Sequence, residues 1–120
     1  MDIVNLAESF EAIEEYWSPR LAAELNGQHV KLAKLRGEFD WHHHADADEL
    51  FLVVDGALTI ELRDEGDVTL GKGELCVVPA GVEHRPVATE EARVLLFEPA
   101  GTLNTGNVAS ERTVEEIERV

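Results

Sequence analysis

Between residues 5 and 17, apolar side chains recur at Leu6, Phe10, Ile13 and Trp17, spaced by four, three and four, with acids between them. That period predicts a short amphipathic helix. Asn5 is placed to cap it, and Ser18-Pro19 to end it, because the residue before a proline avoids the helical region. From His29 to about Phe97 the pattern turns to β. Val30 to Leu35 alternates apolar and basic residues, Leu50 to Val54 (LFLVV) is a run of strand formers, and Ala57 to Leu62 alternates again after the hairpin signal Asp55-Gly56. Arg63 to Asp67 reads as a turn. Val68 to Leu70, Leu75 to Val78 and Val94 to Phe97 read as further short strands, punctuated by Gly71-Lys72-Gly73 and Pro79-Ala80-Gly81. Many short strands with close turns and no crossover helices predict an all-β sandwich or barrel. Residues 99–110 (PAGTLNTGNVAS) form a polar arm. After it, Thr113 and Glu116 stand in capping-box spacing and predict a short C-terminal helical turn.

Charge narrows the partners. Ten Lys and Arg against 25 Asp and Glu leave a net charge of −15, which argues against nucleic acid and against docking on anionic lipid. No apolar run approaches the roughly 20 residues of a membrane span, and the acidic N-terminus lacks the pattern of a secretion signal. Cys76 is the only cysteine, so no internal disulfide is expected. The 120 residues are expected to form a single cytoplasmic domain, 1–120, acting on a small-molecule ligand.

The candidate chemistry lies at residues 42–49, where His42, His43 and His44 precede Asp46, Asp48 and Glu49. Alternate side chains of an extended strand share a face, so His42 and His44 point one way and His43 the other. Two imidazoles so placed can hold one ion, Glu49 can return a carboxylate to it, and His84 is a fourth candidate. Imidazole plus carboxylate suits one divalent transition metal ion, Fe, Mn, Ni, Cu or Zn, without choosing among them. Asp48 is the alternative to Glu49, which is preferred because it joins the LFLVV strand directly.

These spacings resemble the cupin superfamily. Its first motif is matched over 37–56 by Gly37, His42-x-His44, four residues, Glu49, six residues and Gly56. The second is matched over 73–88 by Gly73, five residues, Pro79-Ala80-Gly81, two residues and His84. Two departures stand out: four residues rather than five separate Gly37 from His42, and Ala88 replaces the motif's terminal asparagine. The resemblance implies a cupin jelly-roll barrel, a double-stranded β-helix, with the metal held by His42, His44, Glu49 and His84. The YWSP and PAGTLNTGN segments further resemble a subgroup of small single-domain cupins labelled by analogy with mannose-6-phosphate isomerase.

The function implied is a metal-dependent enzyme, of isomerase or dioxygenase type, on a small organic acid or sugar-like substrate; the alternative is a non-catalytic small-molecule or metal-binding module. Phe51 and Val53 share parity with Glu49 and are expected to wall the pocket. Phe39 and Trp41 are expected to pack the barrel, while Cys76 and His29 are expected to be structural. Lys31, Lys34, Arg36 and Arg63 are candidates to assist an anionic substrate. Leu50, Leu52 and Val54 face outward and need cover from the N-terminal helix, another sheet or a second subunit, and a homodimer is expected.

Overall fold

The computed structural model describes residues 1–120. One helix, α1 (Leu6–Ala12), precedes eight strands: β1 (Arg20–Leu25), β2 (Gln28–Glu38), β3 (Glu49–Asp55), β4 (Ala57–Leu62), β5 (Val68–Gly71), β6 (Leu75–Val78), β7 (His84–Pro99) and β8 (Glu118–Arg119). They form a sheet-rich, jelly-roll-like fold that does not close into a continuous ladder. One path runs β5-β4-β7-β2-β1-β8, and β3 joins β7 to the edge strand β6.

The long strand β7 organises this arrangement. It pairs with β2 along its length, with β4 through His84–Val87 and with β3 through Arg93–Phe97. Its inward row keeps one parity: His84, Pro86, Ala88, Ala92, Val94, Leu96 and Glu98 are all buried, and only Glu90 in that row is exposed. In β3 the same alternation buries Glu49, Phe51 and Val53 and turns Leu50, Leu52 and Val54 outward, as their parity predicts. The inner faces enclose a core that includes Leu35, Phe39, Leu58, Ile60 and Val94.

Four expectations are corrected. The helix stops at Ala12 rather than reaching Trp17, because Ile13 leaves in an extended conformation. Phe10 and Ile13 then cover Leu32 on the outer face, with Val54 and Leu95 packed alongside, whereas Trp17 turns at a positive φ of 60° into the main core. A strand, β1, precedes the predicted β region. The last predicted strand, Val94 to Phe97, is the end of a 16-residue one. The C-terminal helical turn does not form; instead β8 adds in parallel to Arg20 and Leu21. Outward cover is partial. The helix shields the Leu32–Val54–Leu95 side, while Leu75 and Val77 on β6 remain exposed.

Candidate metal centre

The centre is assembled where β3, β7 and the 42–44 segment meet. His42 and His84 form an isolated antiparallel bridge, with His42 N–H donating to the His84 carbonyl at 3.0 Å and His84 N–H to the His42 carbonyl at 2.8 Å. Gly81 turns the chain before His84 at φ 81°, and its N–H donates to the His44 carbonyl at 2.8 Å. Backbone pairing therefore locks both histidine segments together before any side chain is considered. The short spacing after Gly37 coincides with a β-bulge between Leu35 and Gly37.

His42, His44, Glu49 and His84 offer ligand atoms that all lie within 4.8 Å of one another, and all four residues are buried. The free faces of two rings are dictated by their other nitrogens. His42 Nδ1–H donates to the Asp40 carbonyl at 2.8 Å and His84 Nδ1–H to the Val82 carbonyl at 2.9 Å. A carbonyl can only accept, so in each neutral ring Nδ1 carries the proton and Nε2 keeps its lone pair. The Nε2 atoms of His44 and His84 approach Glu49 Oε1 to 3.3 and 3.5 Å, yet none of these three atoms has an aligned hydrogen-bond partner. Buried polar atoms are rarely left unpaired. Three orphans converging on one point, on residue types that ligate divalent metals, fit a metal ion.

The charge states agree. Burial, then the neighbouring His84, pulls the His42 imidazole down to about 4, so the ring is neutral at pH 7. Burial alone would raise Glu49, but the imidazoles of His44 and His84 and the Glu98 carboxyl hold it below the usual carboxylate range.

His43 points away, as alternation predicts: Nδ1 is 3.0 Å from Glu83 Oε2. Asp48 also lies outside the group and accepts from the Ala80 N–H at 2.8 Å. A narrow cavity of about 40 Å³ adjoins His42 and Glu49, with Trp17, Phe39, Phe51, Pro86, Leu96 and Asn104 in its lining. Phe51 thus walls it as expected, but Val53 does not; it belongs to the buried core. Phe39 both packs the core and lines the cavity, whereas Trp41 lies outside it beneath the Arg63 guanidinium, 4.2 Å from the ring centroid. Cys76 is half-buried, and burial pushes its thiol up, which favours the inert form.

Of the four basic candidates, only Lys31 is buried. Its Nζ is 3.0 Å from Glu98 Oε1 and donates to the Thr102 carbonyl at 3.0 Å. Lys34 instead donates to the Ile13 carbonyl. Sequence reasoning missed Glu98, which is 1 % exposed and lies beside Glu49, one step along β7 beyond the Leu50–Phe97 pair. Its signal was an acid on the inward parity of Val94 and Leu96.

The comparisons agree with this architecture. Residues 28–98 match the family model described as Cupin domain. The uncharacterized protein YdbB of Bacillus subtilis is 37 % identical over 81 residues, 68 % of this chain and 72 % of that protein. A cupin-2 domain containing protein from Shewanella frigidimarina, known as a crystal structure, shares 46 % identity with a TM-score of 0.78, over 81 % of this chain and 94 % of its own. Acireductone dioxygenase of Danio rerio is 38 % identical over 56 residues, which is 43 % of this chain but only 30 % of that enzyme. The motifs, the jelly-roll-like sheet and the family match converge, and the chain belongs to the cupin family.

Proposed function

We propose that the chain is a metal-dependent oxidoreductase of the dioxygenase type acting on a small molecule. The observation that carries this reading is the convergence of unpartnered Nε2 atoms and Glu49 Oε1 beside a narrow, largely apolar cavity. The match to acireductone dioxygenase supports the dioxygenase class over the isomerase one, although it spans less than a third of that enzyme. His42, His44, Glu49 and His84 are the residues that would hold the ion. A divalent transition metal bound there would supply Lewis acidity and, if redox-active, electron transfer to substrate and oxygen. The protein's own part is preparation. The Asp40 and Val82 carbonyls fix the tautomers of His42 and His84, and burial keeps His42 neutral. The aromatic and proline lining keeps bulk water from the ligand side chains.

The assembly proposed is a homodimer, supported by exposed Leu75 and Val77 on an edge strand that has only one neighbour. The test of function has two parts. Elemental analysis of the purified protein is expected to find about one transition metal per chain, and the His42→Ala/His84→Ala double variant is expected to lose it. Oxygen consumption with a panel of small enediols, phenols and hydroxy acids is expected to require that metal. Equal metal content in both proteins removes the assignment. Metal-dependent binding without turnover in air assigns the chain instead to the non-catalytic binding class.

A further inference from the structure

Two elements hold the histidine segment, and only one of them is the sheet. His42 spends both backbone groups on His84, and the His44 carbonyl accepts from the Gly81 N–H. His43, between them, gives both of its backbone groups to Asn107. The His43 N–H donates to Asn107 Oδ1 at 2.8 Å, and the His43 carbonyl accepts from the Asn107 N–H at 3.0 Å. Upstream of His42 the same polar arm takes hold again. Ser110 Oγ donates to Asp40 Oδ2 at 2.8 Å, and Arg112 Nη1 donates to the Glu38 carbonyl at 2.9 Å. Asp40 is the residue whose carbonyl fixes the His42 ring. The arm is braced internally: Asn104 Nδ2 donates to the Arg112 carbonyl at 2.7 Å, Asn104 Oδ1 accepts from the Val114 N–H at 2.9 Å, and the buried Thr105 hydroxyl pairs with that of Thr113. Gly106 sets how closely the arm seats. At its φ of 57°, an added Cβ would collide with the His43 carbonyl oxygen and stand 3.0 Å from His42 Cδ2, the ring carbon bonded to Nε2.

We propose, on the metal-site reading above, that residues 104–113 clamp the metal centre, with Gly106 and Asn107 as positioning residues that fix the spacing of His42 and His44 without ligating the ion. No residue of the arm belongs to the ligand group. Its contribution passes through the backbone on either side of His42, at Asp40 before it and His43 after it. Without Asn107 the His43 peptide has no backbone partner, and the torsions on both sides of it are released. Those torsions set the angle between the His42 and His44 rings, whose centroids lie 5.0 Å apart at 85°. Groups that hold the ligands of a metal without touching it commonly contribute about 10–100-fold in affinity, because the ion then finds its donors already placed. The polar segment that composition marks as a solvated arm is thus the outer half of the site.

The test is a cobalt(II) titration of the full chain after chelator treatment, read by ligand-field absorption and by competition with a chelating dye. Wild type is expected to bind cobalt saturably. Gly106→Ala is expected to bind it roughly tenfold or more weakly, with shifted absorption bands, and Asn107→Ala about threefold or more weakly. Asn107→Asp keeps an acceptor for the His43 N–H and is expected to return to within about twofold of wild type. Gly56→Ala, a strained change at the opposite end of β3 from Glu49, is expected to leave affinity and bands unchanged, which separates positioning from loss of stability. Circular dichroism checks that each variant is folded; if Gly106→Ala is not, the two Asn107 variants decide. Unchanged affinity and bands in Asn107→Ala overturn the proposal. So does Asn107→Asp binding as weakly as Asn107→Ala, or an equal loss in Gly56→Ala. Failure of wild type to bind cobalt overturns the metal reading and the clamp together, whereas wild-type binding that is indifferent to the arm overturns the clamp alone.

Discussion

Lys31→Met and Glu98→Gln are expected to have very different consequences, although the two side chains touch. Glu49 and Glu98 are 3 % and 1 % exposed, and Lys31 pairs with Glu98. Burial, then the charge of Glu49, pushes the Glu98 carboxyl up to about 9, with Lys31 only partly opposing. Glu49 is held low. At pH 7 the metal-free protein therefore carries one negative charge on the two carboxyls, balanced by one ammonium. With Glu98 protonated, its 3.0 Å contact with Lys31 Nζ is a charge-assisted hydrogen bond, worth roughly 1.5–3 kcal/mol. Most of that is offset by the desolvation of both groups, so the assembly itself adds little net stability. Removing the lysine alone is different, because it strands the buried charge. Lys31→Met is expected to cost about 3–5 kcal/mol. Glu98→Gln replaces a protonated acid by a neutral group of the same shape and leaves the Lys31 ammonium an oxygen acceptor, so its expected cost at pH 7 is below about 1 kcal/mol.

Urea denaturation of chelator-treated protein, with unchanged m values, measures both. The pH dependence gives a second readout. A carboxyl at about 9 in the folded chain against an ordinary value of 4.5 makes the native state bind more protons than the unfolded one between those limits. The contribution of Glu98 is thus fully present below the unfolded value and is lost as pH rises toward 9. The Gln variant lacks that slope and is expected to gain on the wild type as pH increases. If Glu98→Gln costs as much as Lys31→Met at pH 7, or if the two pH profiles run parallel, the shared-proton account is wrong.

Four further outcomes are expected. His44→Gln lowers bound metal sharply while His43→Gln leaves it nearly unchanged, checked by elemental analysis, since only His44 belongs to the cluster. Gly56→Ala destabilises the fold by about 2 kcal/mol or more in urea melts, because Gly56 sits at φ 85° and an added Cβ would lie 2.7 Å from the Glu91 carbonyl oxygen. Phe10→Ala, at a side chain 1 % exposed over Leu32, costs about 3–5 kcal/mol by the same assay. Sedimentation gives about twice the 13.3 kDa chain mass, and Leu75→Lys/Val77→Lys returns it to one chain.

The sequence pattern located strands wherever one face was dry and the other wet, and missed them where local preference opposed the tertiary pairing. Arg20–Leu25 (RLAAEL) is composed of good helix formers, yet it is a strand because β2 supplies its ladder. The first half of β7 contains Pro86 and the acids Glu90 and Glu91, which read as a break from sequence. The expected C-terminal turn failed for a traceable reason. The Thr113 hydroxyl, needed as its cap, instead pairs with Thr105 Oγ1 at 2.6 Å and accepts from the Ser110 N–H.

The candidate site divides along the same line. Parity within one short segment is enough to separate His42 and His44 from His43, and Glu49 from Asp48, because strand geometry is local. Glu98 and Lys31 could not be joined to it in that way. Glu98 faces Glu49 only because β7 keeps its parity past the exposed stretch Thr89–Glu91 and pairs with β3 in one register. Lys31 reaches Glu98 only because β2 lies on the other side of β7. A one-residue slip in either ladder would turn Glu98 outward and leave Glu49 with only imidazoles for neighbours. The residues that would touch an ion were therefore legible as a spacing. The buried charge that sets Glu49's environment is a property of sheet register, which a single sequence expresses only as an acid on the apolar parity of its longest strand.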